Sequence, residues 1–93
     1  MSTSSDPPDP RLLLLGVHIR RLREERGLSL EELAELSGLS FRGLVYVEHG
    51  RRNAGVLTLL QIAEGLQTEP SQLLAPFDTP TAADVTNPRR GGE

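Results

Sequence analysis

Residues 29–50 read SLEELAELSGLSFRGLVYVEHG, and this stretch leaves few folds open. Ser29, followed three residues later by Glu32, is a reciprocal capping pair at the start of a helix. That helix runs to about Ser37, with Leu30, Leu33, Ala34 and Leu36 expected to turn inward. Gly38 stands at its end, where a residue with φ > 0 is needed and glycine carries no Cβ penalty. Ser40 can cap a second helix over residues 41–48, which ends near Gly50. Leu44 and Val47 fall three apart on that helix and define its inner side. The small Ala34 allows the two helices to cross closely. Such a unit buries one side of its second helix and presents the other outward.

The flanking chain supplies the helices that this pair packs against. Asp9 and Pro10 form a helix start, with Asp as cap and Pro at the first helical position. The first helix covers residues 10–26 and is stopped by Gly27; Leu12, Leu15, Ile19, Leu22 and Arg26 follow one stripe, while Leu14 and Val17 lie off it. After a polar loop at 51–55 comes a helix at 56–66 with Leu59, Ile62, Ala63 and Leu66 on its buried stripe. A short fifth helix follows, capped by Thr68 or Glu69, with Pro70 in its first turn and Leu73 and Leu74 closing the core. No stretch alternates apolar and polar residues as a strand does. The expectation is a compact, all-α, five-helix domain over residues 10–77. Residues 1–9 and 78–93, rich in Ser, Pro, Asp, Thr and Gly, are expected to be disordered tails.

Composition removes several function classes. The chain has 93 residues, no cysteine and 2 histidines, which leaves no disulfide frame, no thiolate metal site and no convincing zinc cluster. His18 lies among basic residues of the first helix, and His49 suits a helix C-terminus. No Ser/His/Asp set, phosphate loop or carboxylate pair is placed for chemistry, so neither an enzyme nor a cofactor is expected. The longest apolar run, residues 12–15, is far short of a membrane span, and the N-terminus lacks a signal-peptide pattern. A cytoplasmic, nucleoid-associated protein is the expectation. Net charge is −3, yet all 10 basic residues are arginine and they are unevenly spread. Arg20, Arg21, Arg23 and Arg26 lie in the first helix, Arg42 in the third, and Arg51 and Arg52 just after it. Local distribution outweighs the total where nucleic acid is concerned.

A helix-turn-helix of this form presents its second helix to the major groove of DNA. With LGVHIRRLREERGLSLEELAELSGLS, then VEHGRRN, LLQIAEGL and a closing LL all in order, the chain resembles the lambda-repressor-like DNA-binding domains of the Cro and Xre regulators over about residues 15–75. The resemblance implies five helices, recognition through the third, and a homodimer on double-stranded DNA carrying an inverted repeat. It places base contacts on Phe41, Arg42, Val45 and Tyr46. Phosphate contacts fall on Ser29 and Leu30, through their backbone N–H groups, and on Arg51, Arg52 and Asn53. It matches Arg23 and Glu48 to a structural ion pair. The sequence departs from the family pattern at Gly43 inside the recognition helix. Ala54-Gly55 replaces the usual Pro-Ser opening of the fourth helix. The reading face is Phe, Arg, Val and Tyr, where Gln, Ser, Arg and Asn are common.

Two readings of that outer face stand side by side. Arg42 can make two parallel hydrogen bonds to guanine, Phe41 and Val45 can pack on thymine methyls, and the Tyr46 hydroxyl can reach a base edge or a phosphate. The competing reading is that the exposed apolar strip binds protein; a separate alternative for Phe41 alone is that it tucks into the core. The basic loop favours DNA. An antitoxin or a restriction–modification controller protein on the same fold is the alternative biology. For the dimer contact, Leu57 and Leu60, which flank the buried stripe of the fourth helix, are expected to form an apolar strip with the fifth helix, Pro76 and Phe77. The apolar start of the first helix, residues 12–17, competes for that role.

Overall fold

The computed structural model describes residues 9–78. Five helices follow one another: α1 (Pro10–Glu25), α2 (Leu30–Ser37), α3 (Phe41–Glu48), α4 (Val56–Leu66) and α5 (Pro70–Leu73). A 3₁₀ turn at Ala75–Phe77 follows α5. The described residues contain no strand, and the fold is all-α. The expected disorder of the tails concerns residues 1–8 and 79–93, which lie outside the described residues. Among the described residues no helix is long and apolar enough to cross a membrane.

Local chemistry sets the helix ends. The Asp9 carboxylate accepts a hydrogen bond from the Arg11 backbone N–H at 2.9 Å and from the Arg11 guanidinium at 2.6 Å. These bonds, the side-chain one foremost, hold the Asp9 carboxyl down at about 2. At α2 the capping box is complete: Glu32 N–H donates to Ser29 Oγ at 3.0 Å, and Ser29 N–H donates to the Glu32 carboxylate at 2.8 Å. Gly38 ends α2 with φ of 73°, the left-handed conformation that turns the chain toward α3. Ser40 Oγ then caps α3 by accepting from Gly43 N–H at 3.0 Å.

The core gathers one stripe from each helix: Leu15, Ile19 and Leu22 of α1, Leu33 and Ala34 of α2, Leu44 and Val47 of α3, Ile62, Ala63 and Leu66 of α4, and Leu73 of α5. Two expected core members lie elsewhere. Leu36 is 58 % exposed, because Leu33, Ala34 and Ser37 take the inner face of α2 and Leu36 is left on the rim of an open recess with Arg26 and Gln67. Leu74 is 49 % exposed, since α5 ends at Leu73 and the chain turns into the 3₁₀ segment there. The ends of the α1 stripe also overhang the core. Leu12 is half-buried, and Arg26 is exposed with its guanidinium across carbonyls, donating to Leu66 O at 2.6 Å and Leu22 O at 3.2 Å. That contact supplies a cation to the C-terminal carbonyls of α4.

Two helical glycines set the closest approaches. A Cβ on Gly16 of α1 would overlap the Glu48 carbonyl oxygen of α3 and lie 2.6 Å from that of Val47. A Cβ on Gly65 of α4 would overlap Ser37 Oγ of α2 and lie 3.0 Å from Leu33. Glycine weakens a helix by roughly 0.5–1 kcal/mol relative to alanine. Here that cost admits a backbone where no side chain fits. Across the α2–α4 contact Gln61 Nε2 also donates to Ser37 O at 3.1 Å.

Candidate nucleic-acid interface

The two faces of α3 have opposite characters. Inward, Leu44, Val47 and Glu48 are buried. The Glu48 carboxylate accepts from Arg23 Nε at 2.7 Å and from a second Arg23 guanidinium nitrogen at 3.1 Å. The remaining terminal nitrogen of Arg23 donates to Leu28 O at 2.8 Å. Glu48 is 4 % exposed and Arg23 8 %. This is a two-point ion pair enclosed between α1 and α3, with the free valence of the guanidinium satisfied by a carbonyl. The hydrogen bonds it donates to Glu48 hold the Arg23 guanidinium above its already high pKa. Together with Gly16, the pair fixes the angle and depth at which α3 sits on α1.

Outward, Phe41, Arg42 and Tyr46 are exposed and Val45 is half-buried. Arg42 and Tyr46 lie one turn apart, as do Phe41 and Val45, so the four side chains make one patch across the first two turns. Phe41 stays at the surface, 47 % exposed, and does not tuck into the core.

Beyond α3 the chain turns at Gly50, whose φ is 71°. A Cβ there would stand 2.6 Å from Leu13 Cα, so the turn presses directly on α1. That contact throws Arg51, Arg52 and Asn53 outward, and all three are exposed. The Arg52 guanidinium lies over the Tyr46 ring, 5.5 Å from its centroid. Asn53 shares a small recess with Asp9, Arg11 and Leu12 at the start of α1. The ion pairs among the described residues join Arg11 to Asp9, Arg20 to Glu24 and Arg23 to Glu48. Arg42, Arg51 and Arg52 enter none of them, so their charge and their N–H groups face outward.

The N-terminus of α2 differs from its sequence-based expectation. The Ser29 N–H already donates to Glu32, so it is not a free donor, and that carboxylate stands beside it. Ser29 contributes as a cap, and the N–H groups of Leu30 and Glu31 are the ones in this turn with no partner among the described residues. The apolar residues expected at a dimer contact also separate. Leu57 and Leu60 are exposed and line an open groove with Ala63, Thr68 and Pro70, between α4 and the start of α5. Pro76 lies instead with Ala75 in a separate recess against Leu14, Val17 and His18 of α1. Phe77, 38 % exposed, is therefore not part of the Leu57–Leu60 groove. The 3₁₀ turn carries the chain from α5 back to α1.

Several positioning residues carry no motif of their own. Gly16, Gly65 and the carbonyl contact of Arg26 are examples, as is His18, whose Nε2 donates to Gln72 O at 2.6 Å and ties α1 to α5. Glycine in the middle of an apolar helical pattern was the available signal for the first two. Among the described residues no group of His, Asp and Glu side chains is arranged to hold a metal ion.

A family model described as Helix-turn-helix matches residues 19–73. The chain is 42 % identical over 65 residues to the HTH-type transcriptional regulator y4dJ of Sinorhizobium fredii, covering 70 % of this chain and 84 % of that protein. It is 38 % identical over 89 residues to the HTH-type regulator Rv0023 of Mycobacterium tuberculosis, covering 83 % of this chain but spanning only 35 % of that longer relative. Among solved structures it is similar to the restriction-modification controller protein C.AhdI of Aeromonas hydrophila. The TM-score is 0.69 at 40 % identity, covering 70 % of this chain and 98 % of that one.

Proposed function

The chain belongs to the HTH_3 helix-turn-helix family of the Cro/Xre type, and from that premise we propose that it is a sequence-specific, DNA-binding transcriptional regulator. α3 enters the major groove with its outer face toward the bases. Arg42 makes a bidentate contact to a guanine, Phe41 and Val45 pack on thymine methyls, and Tyr46 reaches a base edge or phosphate. The Leu30 N–H and the side chains of Arg51, Arg52 and Asn53 hold the flanking phosphates. Ser29 shapes the first turn of α2 from its cap position. The observation that carries this reading is the set of three exposed arginines, none of them in an ion pair among the described residues, on and just after a helix whose inner face is locked. A cationic loop beside an exposed helix face suits the phosphates that flank a groove.

The regulator acts as a homodimer on an inverted repeat. The groove at Leu57 and Leu60 is the contact that would set two recognition helices about one DNA turn apart, roughly 34 Å. Sedimentation of Leu57→Glu and Leu14→Glu separates this groove from the exposed start of α1. Monomers from the first and dimers from the second are expected, and the reverse result moves the interface to α1. The protein works in the cytoplasm, on nucleoid DNA, and uses no cofactor.

Selection of bound sites from random DNA tests the function itself. A palindromic consensus with a guanine in each half-site is the expected result. Failure to enrich any sequence would leave a protein-interaction module on the same fold. A second reading narrows the biology: the similarity to C.AhdI over 98 % of that chain, and to the control protein C.SmaI of Serratia marcescens over 73 % of its length, favours a controller role. A selected site lying upstream of the chain's own gene, beside restriction and methyltransferase genes, is what that role requires.

A further inference from the structure

Gly43 sits inside an eight-residue helix, where alanine is the better helix former. A Cβ on it would lie 2.9 Å from Ser40 Oγ and 3.4 Å from a terminal guanidinium nitrogen of Arg52. The first is the hydroxyl that caps α3. The second belongs to the loop after α3, which Gly50 has turned back. The first distance is too short for a Cβ unless the cap shifts; the second is that of an ordinary contact, so the Arg52 guanidinium lies directly against the helix at Gly43. Tyr46, three residues further along the same side of α3, supplies the other wall, with the Arg52 guanidinium carbon 5.5 Å from its ring centroid. Among the described residues no carboxylate pairs with Arg52, and the Tyr46 ring is the group its guanidinium lies over.

We propose that Gly43 and Tyr46 form a seat that holds Arg52 against the recognition helix, making them positioning residues for a DNA contact made by Arg52. The proposal rests on the DNA-binding reading above. A guanidinium stacked on a ring uses its face and leaves its N–H edge open for paired acceptors. Arg52 is then ordered before binding, and the entropy of ordering a long side chain is not lost on the DNA. Its edge approaches the backbone beside the groove as α3 enters. The glycine that departs from the family pattern is thereby part of how this chain reads DNA, because a side chain extending beyond Cβ at that position would press on the seat.

The test has one arm in the free protein and one on DNA, both with the full chain. Tyr46 is the single tyrosine, there is no tryptophan and only 2 phenylalanines are present, so ring-current shifts at Arg52 are readily assigned. The Arg52 side-chain CH₂ protons are expected upfield in the NMR spectrum of the wild type and of Tyr46→Phe, and at ordinary positions in Tyr46→Leu. On a selected site at fixed salt, Arg52→Ala should weaken binding by the same factor in the wild-type and Tyr46→Phe backgrounds. In the Tyr46→Leu background the factor should be about two- to fivefold smaller, with any Gly43→Ala effect smaller still because its methyl group meets Arg52 at an ordinary contact distance. Thermal unfolding checks each variant. If Gly43→Ala disturbs the Ser40 cap, the two Tyr46 variants carry the result. Unshifted Arg52 protons in the wild type, or an Arg52→Ala effect identical in all four backgrounds, would overturn the proposal. A wild type that selects no DNA site would instead overturn the DNA-binding reading, while the NMR arm still reports on the seat.

Discussion

On the inner face of α3, the single ionisable group, Glu48, is enclosed and held at two points by Arg23, whose remaining donor is satisfied by a carbonyl. On the outer face, Arg42 enters no ion pair among the described residues, and the neighbouring Arg52 leans on a ring. Eight residues thus handle charge in two opposite ways. A buried charge left without its partner is costly, so the inner face must pair. A cation meant for another molecule has to keep its donors open, so the outer face must not. The comparison teaches a division of labour within one helix: its inner side spends side chains on position, and its outer side leaves them available.

The comparison breaks most visibly at Glu48. Glu48→Ala strands the Arg23 guanidinium in an enclosed site and should lower stability by about 3 kcal/mol in urea unfolding. Its folded fraction should keep the same base preference. A loss below about half a kcal/mol, the level of an ordinary surface substitution, would mean the inner face is not locked in this way. Gly16→Ala comes next. Alanine favours the helix, yet its methyl group would overlap the α3 backbone, so a net loss of about 1–3 kcal/mol is expected. A stabilised variant would show that α1 and α3 are looser than the Glu48 and Val47 contacts indicate.

On the outer side the effects move from stability to binding. Arg51→Ala should leave unfolding unchanged within about 0.5 kcal/mol. It should weaken all DNA sites alike and reduce the magnitude of the salt slope by about one unit. A change in base preference at constant slope would assign Arg51 to the bases. The smallest effect lies off both faces, at Asp9. Its folded pKa, about 2, is below the usual carboxylate value. The cap therefore contributes in full above the unfolded pKa near 4 and is lost as pH falls through about 2. Following the Arg11 amide shift on acidification should give a midpoint near 2. A midpoint near 4 would show that the Arg11 contacts do not form.

Much of the fold was legible because helix signals are local. Ser29 with Glu32, Gly38, Ser40 and the Asp9-Pro10 start each carry their own chemistry, and they mark ends that the structure also shows. What failed depended on a partner helix. Leu36 follows the apolar pattern of α2 but meets no element across from it. Leu74 lies one residue past the end of α5. Gly16 and Gly65 look like weak points in a pattern until the crossing backbones are seen. The outer face of α3 was legible for a similar local reason: Leu44 and Val47 define the inner side, so Phe41, Arg42 and Tyr46 fall outside. Two things were not legible. The donor expected at Ser29 is consumed by the very capping box that marks the helix start. The approach of the Arg52 guanidinium to Gly43 and the Tyr46 ring is a contact between separate segments that no periodicity encodes.

The central claim is that the outer face of α3 reads sequence, with Arg42 as its principal reader. It is tested most directly by measuring Arg42→Ala and wild-type affinities on the selected operator and on random DNA at one fixed salt concentration. The account predicts a loss of about 1–3 kcal/mol on the operator, with preference relaxed at one guanine per half-site, and a much smaller change on random DNA, where phosphate contacts dominate. An equal loss on both DNAs would contradict it, making Arg42 one more phosphate contact.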